Sequence, residues 1–364
     1  MKKILFGITS LTIGGAERVL VDIANKLQDE YDITIFTIYA NGDFEKDLNK
    51  NIRLKSLYGR QYKDLNKIEK ILIPLKILFF KKYIYEKYIK DDYDAEVSFL
   101  EGPITRLFST KNKNTKKIAW IHNDISCVFG RGIKAKIKKV LDKRLYNKFQ
   151  ELVFVSKDNL EKFKEQYKTS TNTRVIYNYI DAKRVIEKSE EKIDFESDKN
   201  STNFVTVARL VEQKAIDRFI DVHYKLIQEG IKNSVYVIGD GPLKEQLQEK
   251  IQKLNLNKTF HLIGKKQNPY PYIKQADYFC LFSNFEGYGM VLDEAKILNK
   301  KILITNTAAR EAVENYKGAM IFENTEDGVL NGLKQVLSDT KEIDIEERQF
   351  NNENVLDEIR KILK

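Results

Sequence analysis

Glu286 and Glu294 stand eight residues apart in FEGYGMVLDEA, with Gly287 and Gly289 between them. Upstream, VARLVEQK carries Arg209 and Lys214, and GDGP occupies Gly239–Pro242. These residue types suit the holding of a nucleoside diphosphate that bears a sugar. Cations and the amides of a tight glycine turn at a helix start take the diphosphate, while carboxylates take sugar and ribose hydroxyls. Each piece alone occurs in many proteins; their order within about eighty-five residues is the informative feature.

Two further elements lie in the first half. TIGGAER, Thr12–Arg18, places Gly14 and Gly15 where an apolar strand turns into a helix. There the glycines let the chain turn tightly and bring helix-start amides towards an anion or a sugar. A dinucleotide fingerprint is excluded, since G-x-G-x-x-G is missing. WIHN puts His122 at a strand end, whereas His223 falls within a helix and His261 within a strand. Asp92-Tyr93-Asp94 spells a D-x-D triplet, but it sits at a helix–strand junction and reads as a structural turn. No catalytic metal is expected.

The elements that must position these residues alternate. Ile4–Thr9 is a continuous apolar strand, and Ala16–Gln28 a helix burying Val19, Leu20, Ile23, Ala24 and Leu27 on one face. Strands follow at Asp32–Tyr39, Asn51–Leu57, Ala95–Leu100, Lys117–His122 and Glu151–Ser156. A second series has strands at Asn203–Val207, Ser234–Ile238, Thr259–Ile263, Tyr278–Phe282 and Lys301–Thr305. Helices in that series cover Ile216–Gln228, Leu243–Leu254 and Met290–Leu298. Alternation of this kind predicts α/β architecture, with parallel sheets covered on both faces. The expected division is an N-terminal domain over 1–182, a linker at 183–202 rich in Lys, Glu, Asp and Ser, and a second domain over 203–345. A terminal helix within 346–364 is expected to pack back towards the first domain.

The 364 residues suit two cores rather than one. Cys127 and Cys280 are too few and too separated for a disulfide framework or a zinc site, which fits a reduced, cytoplasmic setting. MKKILFGIT reads as a first buried strand and not a leader, and Ile71–Phe80, interrupted by Pro74 and Lys76, is too short to span a bilayer. Charge is uneven. Residues 1–178 hold 35 Lys/Arg against 22 Asp/Glu, a balance of +13, and the remainder 28 against 31, a balance of −3. Arg60–Lys90 and Arg131–Lys148 carry the excess, and such clustering implies an anionic partner. Without aromatic platforms or a nucleic-acid module, that partner is not nucleic acid. Leu72, Leu75, Ile77, Leu78, Phe79 and Phe80 lie among the lysines, as in an interfacial element on anionic lipid; an ordinary solvated helix fits Arg60–Lys90 equally.

On these motifs the chain resembles the GT-B superfamily, specifically the retaining glycosyltransferases of family 4. The resemblance is strongest over Phe204–Glu314 and weakest between residues 50 and 95, where acceptors are usually recognised. It implies two Rossmann-like, doubly wound domains facing a central cleft. It implies that Gly14 and Gly15 lie over donor phosphates and acceptor, and that His122 positions the donor sugar near the reacting carbon. Arg209 and Lys214 would hold the diphosphate, Glu286 the donor sugar and Glu294 the ribose. Amides near Gly289 and Met290 would reach sugar or phosphate oxygens, Glu311 would lie near the cleft, and GDGP would shape its wall. Ala215 replaces a usual Gly and Tyr288 a usual Phe.

The implied reaction is transfer with retention from a nucleoside-diphosphate-sugar, a UDP-sugar, without a metal or other cofactor. The expected acceptor is a polyprenyl-diphosphate-linked saccharide of bacterial capsule, exopolysaccharide or lipopolysaccharide synthesis. The enzyme would sit peripherally at the inner face of the cell membrane, held through its basic N-terminal half. Two other classes stay open: a UDP-sugar 2-epimerase of the same fold, and a catalytically silent GT-B subunit that binds lipid or a partner.

Overall fold

The structure, a computed structural model, describes residues 1–89, 91–110, 112, 114–122, 144–193, 196–338 and 352–364. The chain forms two compact units, Met1–Ile180 with Asn352–Lys364, and Asp181–Asn351. Cys127 and most of the basic segment Arg131–Lys148 lie outside the described residues.

Unit 1 holds a seven-stranded parallel sheet. Its strands are β1 (Lys2–Ile8), β2 (Tyr31–Tyr39), β3 (Arg53–Tyr58), β4 (Ala95–Ser98), β5 (Lys116–Ile121), β6 (Glu151–Phe154) and β7 (Asn172–Val175). They lie in the order β3-β2-β1-β4-β5-β6-β7, so the winding reverses between β1 and β4. Helices α1 (Gly15–Leu27), α2 (Lys67–Ile84), α3 (Pro103–Phe108) and α4 (Lys157–Gln166) connect the strands. The continuous apolar runs of β1 and β2 follow from burial, since a parallel sheet wrapped by helices has no solvated face.

Unit 2 begins with α5 (Ala182–Ser189). Its sheet contains β8 (Thr202–Val207), β9 (Asn233–Ile238), β10 (Phe260–Gly264), β11 (Tyr278–Leu281), β12 (Lys301–Thr305) and β13 (Ala319–Phe322). Their order is β10-β9-β8-β11-β12-β13, all parallel, with the reversal between β8 and β11. Helices α6 (Ile216–Gln228), α7 (Lys244–Lys253), α8 (Tyr270–Gln275), α9 (Met290–Ile297) and α10 (Glu326–Ser338) follow in turn. In such sheets the loops after the two strands flanking the reversal diverge and leave a crevice for ligand.

Several details depart from the sequence reading. The edge strands β7 and β13 are additional; both are four-residue strands with partly exposed side chains. The expected linker opens with a packed helix, since α5 lies on α8 and α9 with Val185 fully buried. Ile77 faces the core with Ile73 and Ile84, so it leaves the exposed apolar set of α2. Pro74 lies inside that helix and Phe80 departs from helical geometry, which breaks a simple periodic reading. The last helix, α11 (Glu353–Leu363), buries Leu356, Ile359, Ile362 and Leu363 in unit 1, where Arg360 pairs with Glu30 at 2.8 Å.

His223 is fully buried on α6. Its Nδ1 lies 2.6 Å from Asn233 Oδ1 and its Nε2 2.9 Å from Thr259 Oγ1. Burial pushes its pKa down to about 4, from 6.5 for a free imidazole. Between those values only the unfolded chain takes the proton, so stability falls as pH falls through that window and the effect levels off below it. The loss is about 3 kcal/mol on the linkage relation. Urea unfolding at pH 7.5 and pH 4.5 should therefore show a smaller acid loss for His223→Gln than for the unaltered chain; equal losses would contradict this.

Candidate active site

The loops after β8 and β11 are sewn together. After β8 the chain makes a short turn at Glu212–Lys214, and Ala215 then enters α6 in the left-handed region at φ +46°. Asn284 N donates to Gln213 O at 2.8 Å, Gln213 Nε2 to Phe285 O at 3.0 Å, and Asn284 Nδ2 to Glu212 O at 2.9 Å. Within this clasp the Lys214 ammonium pairs with Glu286 Oε1. Ser283 Oγ donates to the same oxygen at 2.5 Å, and Thr305 Oγ1 holds the Ser283 carbonyl at 2.9 Å. Glu286 is only 7% exposed, so its charge is tolerated because these donors compensate it.

Arg209 differs. It is exposed and makes no side-chain hydrogen bond or ion pair among the described residues. Its backbone is nevertheless fixed by GDGP. Ala208 N donates to Ile238 O, Leu210 N to Asp240 O and Leu243 N to Leu210 O, at 3.0, 3.0 and 3.1 Å. A Cβ on Gly239 would lie 1.8 Å from Ala208 O, and one on Gly241 2.5 Å from Leu210 O. The two glycines are therefore required by close backbone approach on either side of Arg209.

Gly289 caps α9 in the left-handed conformation, φ +76°, against Ala309, Leu292 and Leu281. Met290 opens the helix beside it. Behind them Asp293 is 2% exposed, and burial raises its pKa against the opposing pull of Lys296 and the Tyr288 hydroxyl. That bond gives the Tyr288 hydroxyl a partner where Phe is usual. Lys296 pairs with Asp293 at 2.5 Å and donates to Ala312 O at 2.6 Å. It thereby ties α9 to the turn Ala308–Val313 that carries part-buried Glu311. Part-buried Glu294 accepts from the Tyr270 hydroxyl at 2.9 Å. Unit 2 thus brings Arg209, Lys214, Glu286, Gly289 and Met290 to loops and helix starts beyond the carboxyl ends of its strands, with Glu294 a turn further along α9.

Unit 1 carries the remaining positions. Gly14 caps α1 with φ −169°, extended backbone open to any residue, and an added Cβ would meet only the movable Glu17 carboxylate. The expected conformational need for glycine at Gly14 is absent. Glu17 also places negative charge beside this helix start, which favours a hydroxyl-bearing ligand over an anion there. The loop is held from the side. Ile13 N donates to Asp43 Oδ2 at 3.1 Å, and buried Arg18 reaches Asp47 at 2.7 Å with Phe44 under its guanidinium at 4.4 Å. His122 follows β5 with its ring 4.8 Å from that of Phe99, and its Nε2 is buried without a hydrogen-bond partner among the described residues. Burial lowers its pKa to about 3, so the imidazole is neutral at working pH. It can orient a hydroxyl but has little capacity as a base.

Ser283, Thr305, Asp293, Tyr270 and Arg184 were not singled out by the sequence reading. The D-x-D triplet has a structural task, since Asp94 Oδ2 accepts from Lys3 N at 2.7 Å. No group of three His, Cys, Asp or Glu side chains suited to a metal gathers among the described residues.

Comparison with known proteins places this geometry. The fold is that of the GT-B enzymes. HepE of Anabaena, solved with UDP and glucose, aligns with a TM-score of 0.75 at 17% identity, over 100% of this chain and 99% of that one. The family model described as glycosyltransferase family 4 matches residues 13–184, and that described as glycosyl transferases group 1 matches 187–354. The chain belongs to the group 1, family 4 glycosyltransferases. Two similar proteins come from Campylobacter jejuni, each 26% identical. One is the N-acetylgalactosaminyltransferase acting on N-acetylgalactosamine-diacetylbacillosaminyl-diphospho-undecaprenol, with 94% of this chain and 92% of that protein covered. The other extends a longer N-acetylgalactosamine-containing saccharide on the same kind of diphospho-undecaprenol, with 99% and 92% covered.

Proposed function

We propose that this glycosyltransferase moves a sugar from a UDP-sugar, with retention, to a polyprenyl-diphosphate-linked saccharide in the synthesis of a bacterial capsule, exopolysaccharide or lipopolysaccharide. The observation that carries the donor assignment is the paired clasp of Lys214 and Glu286 beside exposed Arg209 at the reversal of the unit 2 sheet. The UDP bound to HepE and the undecaprenyl-linked acceptors of the Campylobacter relatives support the choice of substrates.

In this reading Arg209 and Lys214 neutralise the charge that grows on the leaving β-phosphate, so the step needs no metal. The acceptor oxygen bonds to the anomeric carbon on the face from which the phosphate departs. The breaking C–O bond leaves its electron pair on the β-phosphate oxygen, and that oxygen takes the acceptor's proton. Neutral His122 and the ion-paired Glu286 support a route without a separate base or covalent nucleophile. Glu286 orients Lys214 and meets the donor sugar, Glu294 takes the ribose, Gly289 and Met290 present amides, and Glu311 lines the donor pocket. Gly14, Gly15 and His122 act on the sugar and acceptor.

The enzyme works at the inner membrane face, attached by α2. That helix exposes Ile68, Ile71, Leu72, Leu75, Phe79 and Phe80 among Lys67, Lys70, Lys76 and Lys82. Apolar side chains beside lysines suit insertion among anionic headgroups, with roughly 1 kcal/mol from each cation near the surface. No helix among the described residues is long and apolar enough to cross a membrane.

Arg209→Ala is the cleaner test of the diphosphate role, because Lys214→Ala would also strand the buried Glu286 charge at a cost of about 3 kcal/mol in stability. Arg209→Ala should lower kcat about 100-fold with an unchanged unfolding midpoint, and near-normal turnover would remove the role. In vesicle sedimentation, the chain should bind phosphatidylglycerol-containing vesicles at low salt. Phe79→Ser with Phe80→Ser should weaken that binding about tenfold, roughly the transfer cost of losing one inserted aromatic side chain. No binding by the unaltered chain would contradict the attachment.

A further inference from the structure

Glu294 is held by a chain of hydrogen bonds that begins outside the donor-binding set. Tyr270, 4% exposed at the start of α8, donates its hydroxyl to Glu294 Oε1 at 2.9 Å. Arg184 on α5 donates from Nη1 to that same hydroxyl oxygen at 3.1 Å, and its guanidinium lies 5.7 Å from the centre of the Tyr270 ring. The three residues come from three helices, and α5 packs on both of the others. Burial first, and the Glu294 charge second, push the Tyr270 phenol above its ordinary range. It therefore keeps its proton and can only donate to the carboxylate.

We propose that Tyr270, itself fixed by Arg184, is a positioning residue that orients the Glu294 carboxylate for the ribose hydroxyls of the donor. The inference rests on the donor reading above and deepens it. A glutamate on a half-exposed helix face otherwise samples several rotamers, and freezing it on binding costs affinity. With Oε1 tied to a buried phenol, the carboxyl plane is set before the nucleotide arrives. The arginine keeps the phenol oxygen from turning to other donors and holds the ring in place. A site organised around one hydroxyl then rejects an analogue that lacks it far more strongly than a loose carboxylate does.

The test is calorimetric titration of the full chain with UDP and with 2′-deoxy-UDP, for the unaltered protein, Tyr270→Phe, Arg184→Met and Glu294→Gln. The unaltered protein should bind UDP about tenfold more tightly than the deoxy analogue. Glu294→Gln should erase that ratio. Tyr270→Phe, which keeps the ring, should cut it to about twofold, and Arg184→Met should move it in the same direction. If Glu294→Gln erases the ratio but Tyr270→Phe leaves it intact, the positioning role is overturned while the donor reading stands. Weaker binding of both nucleotides at a constant ratio would also overturn it, since that is what general loosening of the helices produces. If the unaltered protein shows no preference, or Glu294→Gln preserves it, the donor role of Glu294 falls and the inference with it.

Discussion

The Lys214–Glu286 ion pair is the constraint on which the rest of the proposed donor site depends. It joins residues 72 apart in sequence, at the place where the sheet reverses and the loops after β8 and β11 would otherwise diverge. Both charges are largely removed from water, so the pair is not a simple gain in stability; its desolvation offsets much of its attraction. What it supplies is geometry. Ser283 holds the carboxylate and is itself held by Thr305 at its carbonyl, and the backbone bonds of Gln213 and Asn284 hold the loops beside it. An incoming diphosphate would therefore meet an ammonium that is already aimed and whose charge is partly spent. Arg209, without a competing partner among the described residues, supplies the uncommitted charge.

Backbone conformation does comparable positioning elsewhere. Arg209 can project outward because Gly239 and Gly241 let one loop lie directly on another. Gly289 turns the chain so that α9 begins where its first amides are presented. Ala215 adopts the left-handed region without a glycine's freedom, a strain of roughly 1 kcal/mol, and the clasp just before it holds it there. In unit 1 the same logic is carried by side chains, with Arg18 bracing the loop that faces Gly14.

How far this was legible in the sequence depends on the kind of contact. The apolar runs of β1, β8 and β11 and the spaced apolar face of α6 specify their own elements, so the alternating architecture could be read directly. The motifs at Arg209, Lys214, Glu286 and Glu294 could be read because they cluster beside glycine turns. Tyr270 could not, since its partners Glu294 and Arg184 lie 24 and 86 residues away in sequence, and nothing in the local pattern marks Ser283 or Asp293 as buried behind the site. The Tyr at 288 was the available hint towards Asp293, because a phenol in place of a Phe needs a partner when buried. The need for glycine at Gly14 was misread because a strand–helix turn can be made in extended geometry. The outward face of α2 was only partly legible, because Pro74 and the kink at Phe80 shift which side chains turn inward.

The central claim is donor chemistry without a metal, at a site built on that ion pair. The most direct measurement is nucleoside-diphosphate release from UDP-, GDP- and ADP-sugars in EDTA, with and without mixed polyprenyl-diphosphate-linked saccharides. The account predicts release from a UDP-sugar that rises when the lipid-linked acceptors are added. Absence of both release and nucleotide binding across the panel would contradict it.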